Sequence, residues 1–292
     1  MKLATFIHHD VQRIGIVVHD GLIDLSAAAP ELPRDMIGFL EAGDAAMARA
    51  RAISKKPDHL LALDAVALQA PVPRPGKVLG IGLNYADHVA ESGRTPPEHQ
   101  IWFNKQRESI TGPGAEIVLP SVSPMLDYEV ELCFIIGKSC RHVPKDRAHE
   151  VIAGFCIGND VTVRDWQLRT PTMTIGKSFD THGPLGPWLV TSDEVGDPHA
   201  LDLKCWVNGE LRQSSNTRHL IYDCYDQVSH LTQAFTLSPG DVIFSGTPGG
   251  VGMAQKPPRF LKTGDSVRLE IDKLGRLENC VAAETLEVRI DD

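Results

Sequence analysis

The feature that most constrains the fold is a proline-rich segment about a quarter of the way along the chain. Residues 71–76 read Pro-Val-Pro-Arg-Pro-Gly, so three prolines stand within five residues. Proline lacks the backbone N–H that a helix needs, and it disfavours the helical conformation of the residue before it. The segment therefore breaks any helix and favours an extended linker. We predict a small N-terminal domain over residues 1–70, a linker over 71–76 and a larger domain over 77–292.

The pattern of apolar residues differs on the two sides of this linker. Residues 1–70 hold short apolar runs and then an Ala/Leu/Asp-rich stretch that favours helices, which is typical of a small α+β unit. The remainder carries many short, β-rich runs bounded by Gly, Pro and Asp, which predict strands. Candidate strands cover residues 77–81, 116–119, 129–136, 151–159, 201–207, 241–245 and 266–271, and candidate helices cover 85–92 and 221–234. We therefore predict an α+β protein, mainly β, with mostly antiparallel sheets and few short helices.

Charge and cysteine content narrow the functional classes. The 292 residues carry 29 Lys and Arg against 38 Asp and Glu, a formal charge of −9, which disfavours binding to nucleic acid or to an anionic membrane surface. The six cysteines form no CxxC pair, so we expect reduced thiols rather than a zinc site or a disulfide framework. Because the sequence has neither a secretory signal nor an apolar run of about 18 residues, we expect a cytoplasmic protein.

A pair of glutamates stands where a long apolar strand begins. In the predicted strand 129–136, Glu129 and Glu131 alternate with Val130 and Leu132, so both carboxylates face the same side. Neighbouring like charges repel, so the pair requires either full solvation or a cation. A solvated strand face is the simpler alternative, and a divalent-cation site would need a third oxygen ligand from elsewhere in the chain.

Two aspartates compete for the place of that third ligand. Asp160 directly follows the predicted strand 151–159, where a strand would deliver a side chain into a cleft, and Asp165 lies five residues further on. Hydrogen-bond donors stand in the same stretch: the planar fork of Arg164, the amide of Gln167 and the flexible cation of Lys177. Carboxylates and donors are thus interleaved in this part of the chain.

A histidine and a glutamate stand at positions i and i+3 of the predicted helix 85–92. His88 and Glu91 can meet on one helix face, and we expect Asn84 to cap the helix. A carboxylate that contacts an imidazole raises its basicity and fixes its tautomer, which suits a general base acting on water. A surface ion pair is the alternative for these two residues taken alone.

A glycine-rich loop follows the predicted strand 241–245. Residues 245–252 read Ser-Gly-Thr-Pro-Gly-Gly-Val-Gly. Ile243 stands where a serine-hydrolase elbow needs glycine, so a serine nucleophile is not indicated. We expect this loop to offer backbone N–H groups and the Thr247 hydroxyl to an anionic part of a substrate.

Taken together and in this order, the motifs resemble the fumarylacetoacetate hydrolase family over residues 77–284. The resemblance rests on five blocks: Asn84-Tyr85 with His88 and Glu91, Glu129-x-Glu131, Asn159-Asp160 with Arg164-Asp165, Gly-Lys-Ser-Phe-Asp at 176–180, and Ser245-Gly246-Thr247. It implies a β-sandwich roll for the larger domain and a homodimer. It also implies Mg²⁺ as the cofactor, with Mn²⁺ or Ca²⁺ in some family members.

The resemblance further implies roles for individual residues. It makes Glu129, Glu131 and Asp160 the metal ligands, and so favours Asp160 over Asp165. It implies that His88 and Glu91 activate water. The remaining implied site residues are the catalytic Lys177 and the substrate-binding Tyr85, Arg164, Gln167 and Thr247.

The leading hypothesis is therefore a Mg²⁺-dependent hydrolase that cleaves a C–C bond in acylpyruvate-type β-diketo acids. A 2-oxo or 2,4-dioxo acid can fill the open positions of a hard cation through its carboxylate and keto oxygens. Water activated by His88 would attack the distal carbonyl, and Lys177 would lie near the charge of the leaving enolate. The same site also suits decarboxylation of a 2-oxo acid such as oxaloacetate, or enol–keto isomerisation. A non-catalytic ligand-binding protein of the same fold is a further alternative.

Overall fold

A computed structural model describes residues 1–19, 21–55, 58–288 and 290. The first segment forms strands and helices in the mixture that the sequence predicts. Its strands are β1 (Lys2–His8), β2 (Val11–Val18), β3 (Gly21–Asp24), β4 (Leu60–Leu61) and β5 (Ala67–Leu68), and its helices are α1 (Leu25–Ala28), α2 (Met36–Glu41) and α3 (Gly43–Ser54).

The remainder of the chain is dominated by strands. They are β6 (Val78–Gly82), β7 (Ile101–Asn104), β8 (Ile110–Thr111), β9 (Ile117–Leu119), β10 (Leu126–Asp127), β11 (Val130–Ile136), β12 (Ile152–Asn159), β13 (Thr162–Val163), β14 (Gly183–Thr191), β15 (Asp202–Val207), β16 (Glu210–Asn216), β17 (Val242–Phe244), β18 (Ser266–Ile271) and β19 (Gly275–Ala283). The helices are α4 (Ala86–Glu91), α5 (Arg164–Gln167), α6 (Ser192–Val195) and α7 (Cys224–Ala234). In the described part of the chain, no helix has the length and apolar character needed to cross a bilayer.

The strands form one large sheet and two smaller ones among the described residues. The large sheet has the order β4-β3-β2-β1-β14-β12-β11-β17-β6-β7, with β5 and β8 paired to it at the side. A second sheet has the order β16-β15-β18-β19-β9, and β10 pairs with β13. Most pairs are antiparallel, and β17 runs parallel to β6. The predicted α+β class with mainly antiparallel β structure is confirmed.

The large sheet joins the N-terminal segment to the rest of the chain. Strand β1 pairs with β14, with Leu3 opposite Leu189. The linker is also hydrogen-bonded to the N-terminal segment, because the Thr5 hydroxyl donates to the Pro71 carbonyl at 2.7 Å. The division into two domains at residues 71–76 stays a prediction.

Strand β11 lies at the centre of the large sheet and is buried along its whole length. Its side chains alternate between two apolar cores: Leu132 and Phe134 pack into one, and Cys133 and Ile135 pack into the other, which includes residues of the N-terminal segment. Burial on both faces explains why this strand is an almost unbroken apolar run in the sequence. This burial also fixes the position of the strand, and therefore the position of the residues that directly precede it.

Candidate active site

Three buried carboxylates converge at one end of the antiparallel pair β11–β12. Glu129 immediately precedes β11, Glu131 lies within it, and Asp160 follows β12. The backbone N–H of Asp160 donates to the carbonyl of Glu129 at 2.9 Å, which holds the two strand ends together. As a result, one oxygen of each carboxylate lies within 4.8 Å of the other two. The strands thus bring together the three predicted ligands.

The competing aspartate occupies a different environment. Asp165 lies in helix α5, accepts a hydrogen bond from the Ser123 hydroxyl at 2.6 Å and stands 3.7 Å from Arg169. It is half-exposed and does not join the acidic cluster. Of the two candidates, the structure places Asp160 beside the glutamates.

The electrostatics of the cluster fit a divalent cation. Burial, together with Asp160 and Glu129, raises the pKa of Glu131 well above its usual range. Burial acts in the same direction on Glu129, but Lys177 and Arg164 outweigh it and hold the pKa of Glu129 at about 2. Three convergent carboxylate oxygens form the donor set that Mg²⁺, Mn²⁺ and Ca²⁺ prefer, and a bound cation would favour the ionised form of Glu131.

Two buried lysines neutralise part of the acidic charge. The Lys177 ammonium donates to Glu129 at 2.7 Å and to Asp160 at 2.6 Å. The Lys105 ammonium donates to the other oxygen of Asp160 at 2.7 Å and to the backbone carbonyl of Lys177. Burial lowers the pKa of Lys105, whereas Asp160 and Glu129 raise the pKa of Lys177 despite its burial. Sequence reasoning missed Lys105, which directly follows β7 and belongs to none of the motifs.

An arginine connects the acidic cluster to the neighbouring loop. Arg164 donates from Nε to Asp127 at 2.8 Å and pairs through Nη1 with Glu129 at 2.7 Å. Its Nη1 also donates to the amide oxygen of Gln167 at 3.1 Å, and its Nη2 is buried without a hydrogen-bond partner among the described residues. Asp127, which the sequence reasoning did not single out, also accepts from the N–H groups of Gly252 and Met253. Arg164 is therefore held in place by two carboxylates.

The formal charge of this cluster is almost balanced. Its carboxylates are Asp127, Glu129, Glu131 and Asp160, and its cations are Lys105, Arg164 and Lys177. Four negative charges against three positive ones leave a net charge of −1, and a divalent cation would change it to +1. A small organic anion would then meet an attractive centre inside an acidic protein.

The predicted histidine–glutamate pair is formed. His88 Nδ1 lies 2.8 Å from one carboxylate oxygen of Glu91, and the other oxygen accepts from the N–H of Gly250 at 2.7 Å. Gly250 has a φ of +104°, and a Cβ there would lie 2.1 Å from the Arg212 carbonyl, so only glycine fits. The glycine-rich loop thereby holds Glu91 against the imidazole.

The expected cap of helix α4 is wrong. Tyr85, not Asn84, occupies the N-cap position, and no side chain caps the helix. The buried Asn84 side chain instead donates to the carbonyls of Ser245 and Tyr222 and accepts from the Tyr222 N–H. These buried backbone groups come from distant parts of the chain and compete successfully for the amide.

Groups of the glycine-rich loop that we expected to contact a substrate form hydrogen bonds within the protein. The Gly246 N–H donates to Glu131 at 2.6 Å. The Thr247 hydroxyl donates to the Val130 carbonyl at 2.9 Å and accepts from Gln213 at 2.8 Å. These hydrogen bonds orient the end of β11, and the binding of a substrate anion by the loop N–H groups and the Thr247 hydroxyl stays a prediction.

A cavity of about 280 Å³ opens above the acidic cluster. Its polar lining consists of His88, Glu91, Ser92, Arg94, Glu129, Glu131, Arg164, Gln167, Lys177 and Thr247. Its apolar lining includes Ile81, Leu83, Ile101, Phe103, Leu168, Met173, Val251 and Met253. One space thus joins Glu129 and Glu131 to the histidine–glutamate pair.

Tyr85 is separated from this space. Its side chain is completely buried in the larger core, and it does not line the cavity. Burial raises the pKa of its hydroxyl well above the usual value. Its role in substrate binding stays a prediction that the cavity does not support.

Comparison with known proteins identifies relatives that match most of this chain. The C-terminal domain description of the fumarylacetoacetate (FAA) hydrolase family matches residues 77–282. The mitochondrial oxaloacetate tautomerase Fahd2a of Rattus norvegicus is 45% identical over 286 residues, which cover 96% of this chain and 91% of that protein.

Two solved structures share both the fold and appreciable sequence identity. Maleylpyruvate hydrolase from Sphingobium sp. SYK-6, in complex with manganese(II) and pyruvate, is 32% identical with a TM-score of 0.81 and covers 98% of this chain and 100% of that chain. The 5-carboxymethyl-2-hydroxymuconate delta-isomerase of Mycobacterium smegmatis is 33% identical with a TM-score of 0.78, covering 97% and 100%. The resemblance inferred from the motifs is confirmed: this chain belongs to the fumarylacetoacetate hydrolase family.

Proposed function

We propose that this protein is a divalent-metal-dependent enzyme that moves a proton at the carbon beside the keto group of a 2-oxo acid. Its reaction would interconvert the enol and keto forms of acids such as oxaloacetate. The observation that carries the proposal is the shared cavity, in which Glu129 and Glu131 of the buried carboxylate cluster face the same space as the His88–Glu91 pair. The 45% identity to an oxaloacetate tautomerase over nearly the whole chain supports this choice of substrate.

Glu129, Glu131 and Asp160 would hold the cation, for which Mg²⁺ suits an all-oxygen donor set. When bound, the cation would supply a Lewis acid that polarises the 2-oxo group. The chain contributes further positive charge, because Arg164 and Lys177 both line the cavity beside the carboxylates. These cations would stabilise the negative charge that grows on the keto oxygen when C3 loses its proton.

His88 would carry the proton. With Nδ1–H donated to Glu91, the neutral imidazole keeps Nε2 as its basic nitrogen. Nε2 would accept the proton from C3, or from the enol oxygen in the reverse direction, and return it at the other position. Glu91 is a positioning residue here, since its second oxygen is held by Gly250 and it favours the imidazolium that forms.

Hydrolysis of acylpyruvates is the second candidate. The same His88–Glu91 pair could take a proton from water instead of from C3. The structural match to maleylpyruvate hydrolase, which covers 98% of this chain, supports this candidate. The two reactions then differ only in whether a water molecule attacks a distal carbonyl of the substrate.

A three-substrate assay with Mg²⁺ separates these reactions. Enol-oxaloacetate would report tautomerisation through loss of its enol absorbance, acetylpyruvate would report hydrolysis through pyruvate release, and keto-oxaloacetate would report decarboxylation through CO₂. We expect the enol-oxaloacetate signal to decay fastest and to lose its enzymatic component with EDTA. Faster pyruvate release from acetylpyruvate would make the hydrolase the correct function, and faster CO₂ release would make it a decarboxylase.

We also propose that the enzyme is a homodimer of the cytoplasm, as the resemblance and the composition imply. Light scattering coupled to gel filtration would report the mass of the assembly, and fractionation of the source cells would report its location. A monomer, or enrichment in another compartment, would contradict these two expectations.

A further inference from the structure

We infer that Arg94 binds the far carboxylate of dicarboxylic 2-oxo acids and so makes the enzyme selective for them. This inference rests on the proposed function. Arg94 lines the cavity that holds the carboxylates and His88, and it is exposed. Arg94 belongs to none of the sequence motifs described above.

The fold places Arg94 by backbone geometry. Helix α4 ends in a Schellman motif, in which the N–H of Gly93 donates to the Ala90 carbonyl and the N–H of Arg94 donates to the Val89 carbonyl. Gly93 takes the left-handed conformation that this motif requires, with a φ of +68°. The same short helix therefore carries His88 and, just beyond its end, fixes the backbone of Arg94.

The other cations of the cavity are already engaged. Arg164 pairs with Asp127 and Glu129, and Lys177 pairs with Glu129 and Asp160. Arg94, by contrast, forms no ion pair within residues 1–19, 21–55, 58–288 and 290. It is the cavity-lining cation whose charge the described part of the protein does not use.

A second carboxylate on the substrate needs such a partner. The near end of a 2-oxo acid, with its carboxylate and keto oxygens, would occupy the metal site. A carboxylate at the far end would otherwise face the apolar side of the cavity, formed in part by Leu83, Ile101 and Met173. Burying an unpaired carboxylate against apolar side chains is unfavourable, whereas a guanidinium offers it two parallel hydrogen bonds.

Two four-carbon substrates isolate this contact. Oxaloacetate and 2-oxobutanoate share the 2-oxo carboxylate and C3, but oxaloacetate ends in a carboxylate and 2-oxobutanoate in a methyl group. Exchange of C3 hydrogen for deuterium in D₂O, followed by NMR with Mg²⁺ present, measures proton transfer on both. For Arg94→Gln we expect KM for oxaloacetate to rise about tenfold with kcat nearly unchanged, and no change in kcat/KM for 2-oxobutanoate.

Two further variants make the result specific. Arg94→Lys keeps the charge and should recover part of the affinity for oxaloacetate, while Arg34→Gln removes an exposed arginine outside the cavity and should change nothing. An equal loss on both substrates in Arg94→Gln, or no loss on oxaloacetate, would overturn the assignment. The second case would leave proton transfer itself intact.

Failure of the proposed function would look different. If the wild type exchanges C3 hydrogen of neither substrate, the tautomerase proposal fails. Calorimetric titration of oxaloacetate and 2-oxobutanoate into the Mg²⁺-loaded protein then tests Arg94 without turnover. Selective weakening of oxaloacetate binding in Arg94→Gln would uphold the contact, and equal affinities of the variant and wild type for oxaloacetate would refute it.

Discussion

The cavity has a floor and a rim that are built on different principles. The floor consists of Glu129, Glu131, Lys177 and Arg164, which line the cavity, and of Asp160 and Lys105, which lie behind them. Each of these side chains is buried and fixed by strands or by several charged hydrogen bonds. The rim consists of Arg94, Leu168 and Met173, which line the cavity and lie outside the helices and strands. Leu168 lines the cavity and is still 56% exposed.

This difference separates reactivity from selectivity. A floor that is fixed at the end of buried strands can hold a cation and stabilise charge on a substrate. A single substitution there, however, disturbs several partners at once. The rim touches the same cavity with few partners of its own, so it can change without loss of the fold. We therefore expect the floor to determine which bond reacts and the rim to determine which acid is accepted.

The largest effect should follow removal of a carboxylate from the floor. Glu131→Gln removes one of the three convergent oxygen ligands, so we expect loss of Mg²⁺ binding by calorimetry and a fall in turnover of about 10⁴-fold. The free energy of unfolding, measured in EDTA, should change by less than about 1 kcal/mol, because the variant also removes a carboxylate that is repelled by its neighbours. Asp165→Asn is the matched control, and loss of Mg²⁺ binding in that variant would contradict the choice of Asp160 as ligand.

The second-largest effect should follow removal of the histidine that we propose as the base. His88→Ala should lower kcat about 10³-fold for both oxaloacetate tautomerisation and acetylpyruvate hydrolysis, since either reaction needs its imidazole. Affinity for Mg²⁺ should stay unchanged, because His88 is not part of the carboxylate cluster. His230→Ala removes an exposed histidine of helix α7 and should leave kcat unaltered. Undiminished kcat in His88→Ala would show that another group carries the proton.

Stability should also distinguish floor from surface. Lys105→Met leaves Asp160 with one of its two buried ammonium partners, so we expect the free energy of unfolding in urea to fall by about 4 kcal/mol. Lys138→Met removes an exposed ammonium that lies 3.8 Å from the Asp44 carboxylate, and it should lower the free energy of unfolding by less than about 0.5 kcal/mol. Equal losses in the two variants would mean that the Lys105 pair contributes no more than a surface pair.

Much of the fold follows from local pattern. All seven strands predicted from apolar runs are present, with ends that differ by at most one residue, because β-branched runs bounded by Gly and Pro determine strands locally. Strand β14 was missed, since Gly183–Thr191 contains two prolines and two glycines, which are unfavourable in a central strand. Its register with β12 shifts between Phe155 and Ile157, an irregularity that only the assembled sheet reveals.

The site follows from sequence only where its residues form compact motifs. Glu129-x-Glu131, Asp160 and the His88–Glu91 pair are each recognisable beside a predicted element. Lys105 and Asp127 are not, because their partners are distant in the chain: Lys105 meets Asp160 from 55 residues away, and Asp127 meets Arg164 from 37. Contacts of this kind depend on the order of strands in the sheet, which no local spacing encodes.

The smallest effect should come from the rim. Leu168→Ala shortens a half-exposed side chain that lines the cavity but has no part in the charged cluster. We expect KM for oxaloacetate to rise two- to threefold, roughly what loss of a partly buried apolar contact costs, with kcat, Mg²⁺ affinity and the free energy of unfolding unchanged. Val122→Ala, equally exposed but outside the cavity, should alter none of these quantities. A large fall in kcat for Leu168→Ala would place this segment in the reaction itself, and the separation of floor from rim would then be wrong.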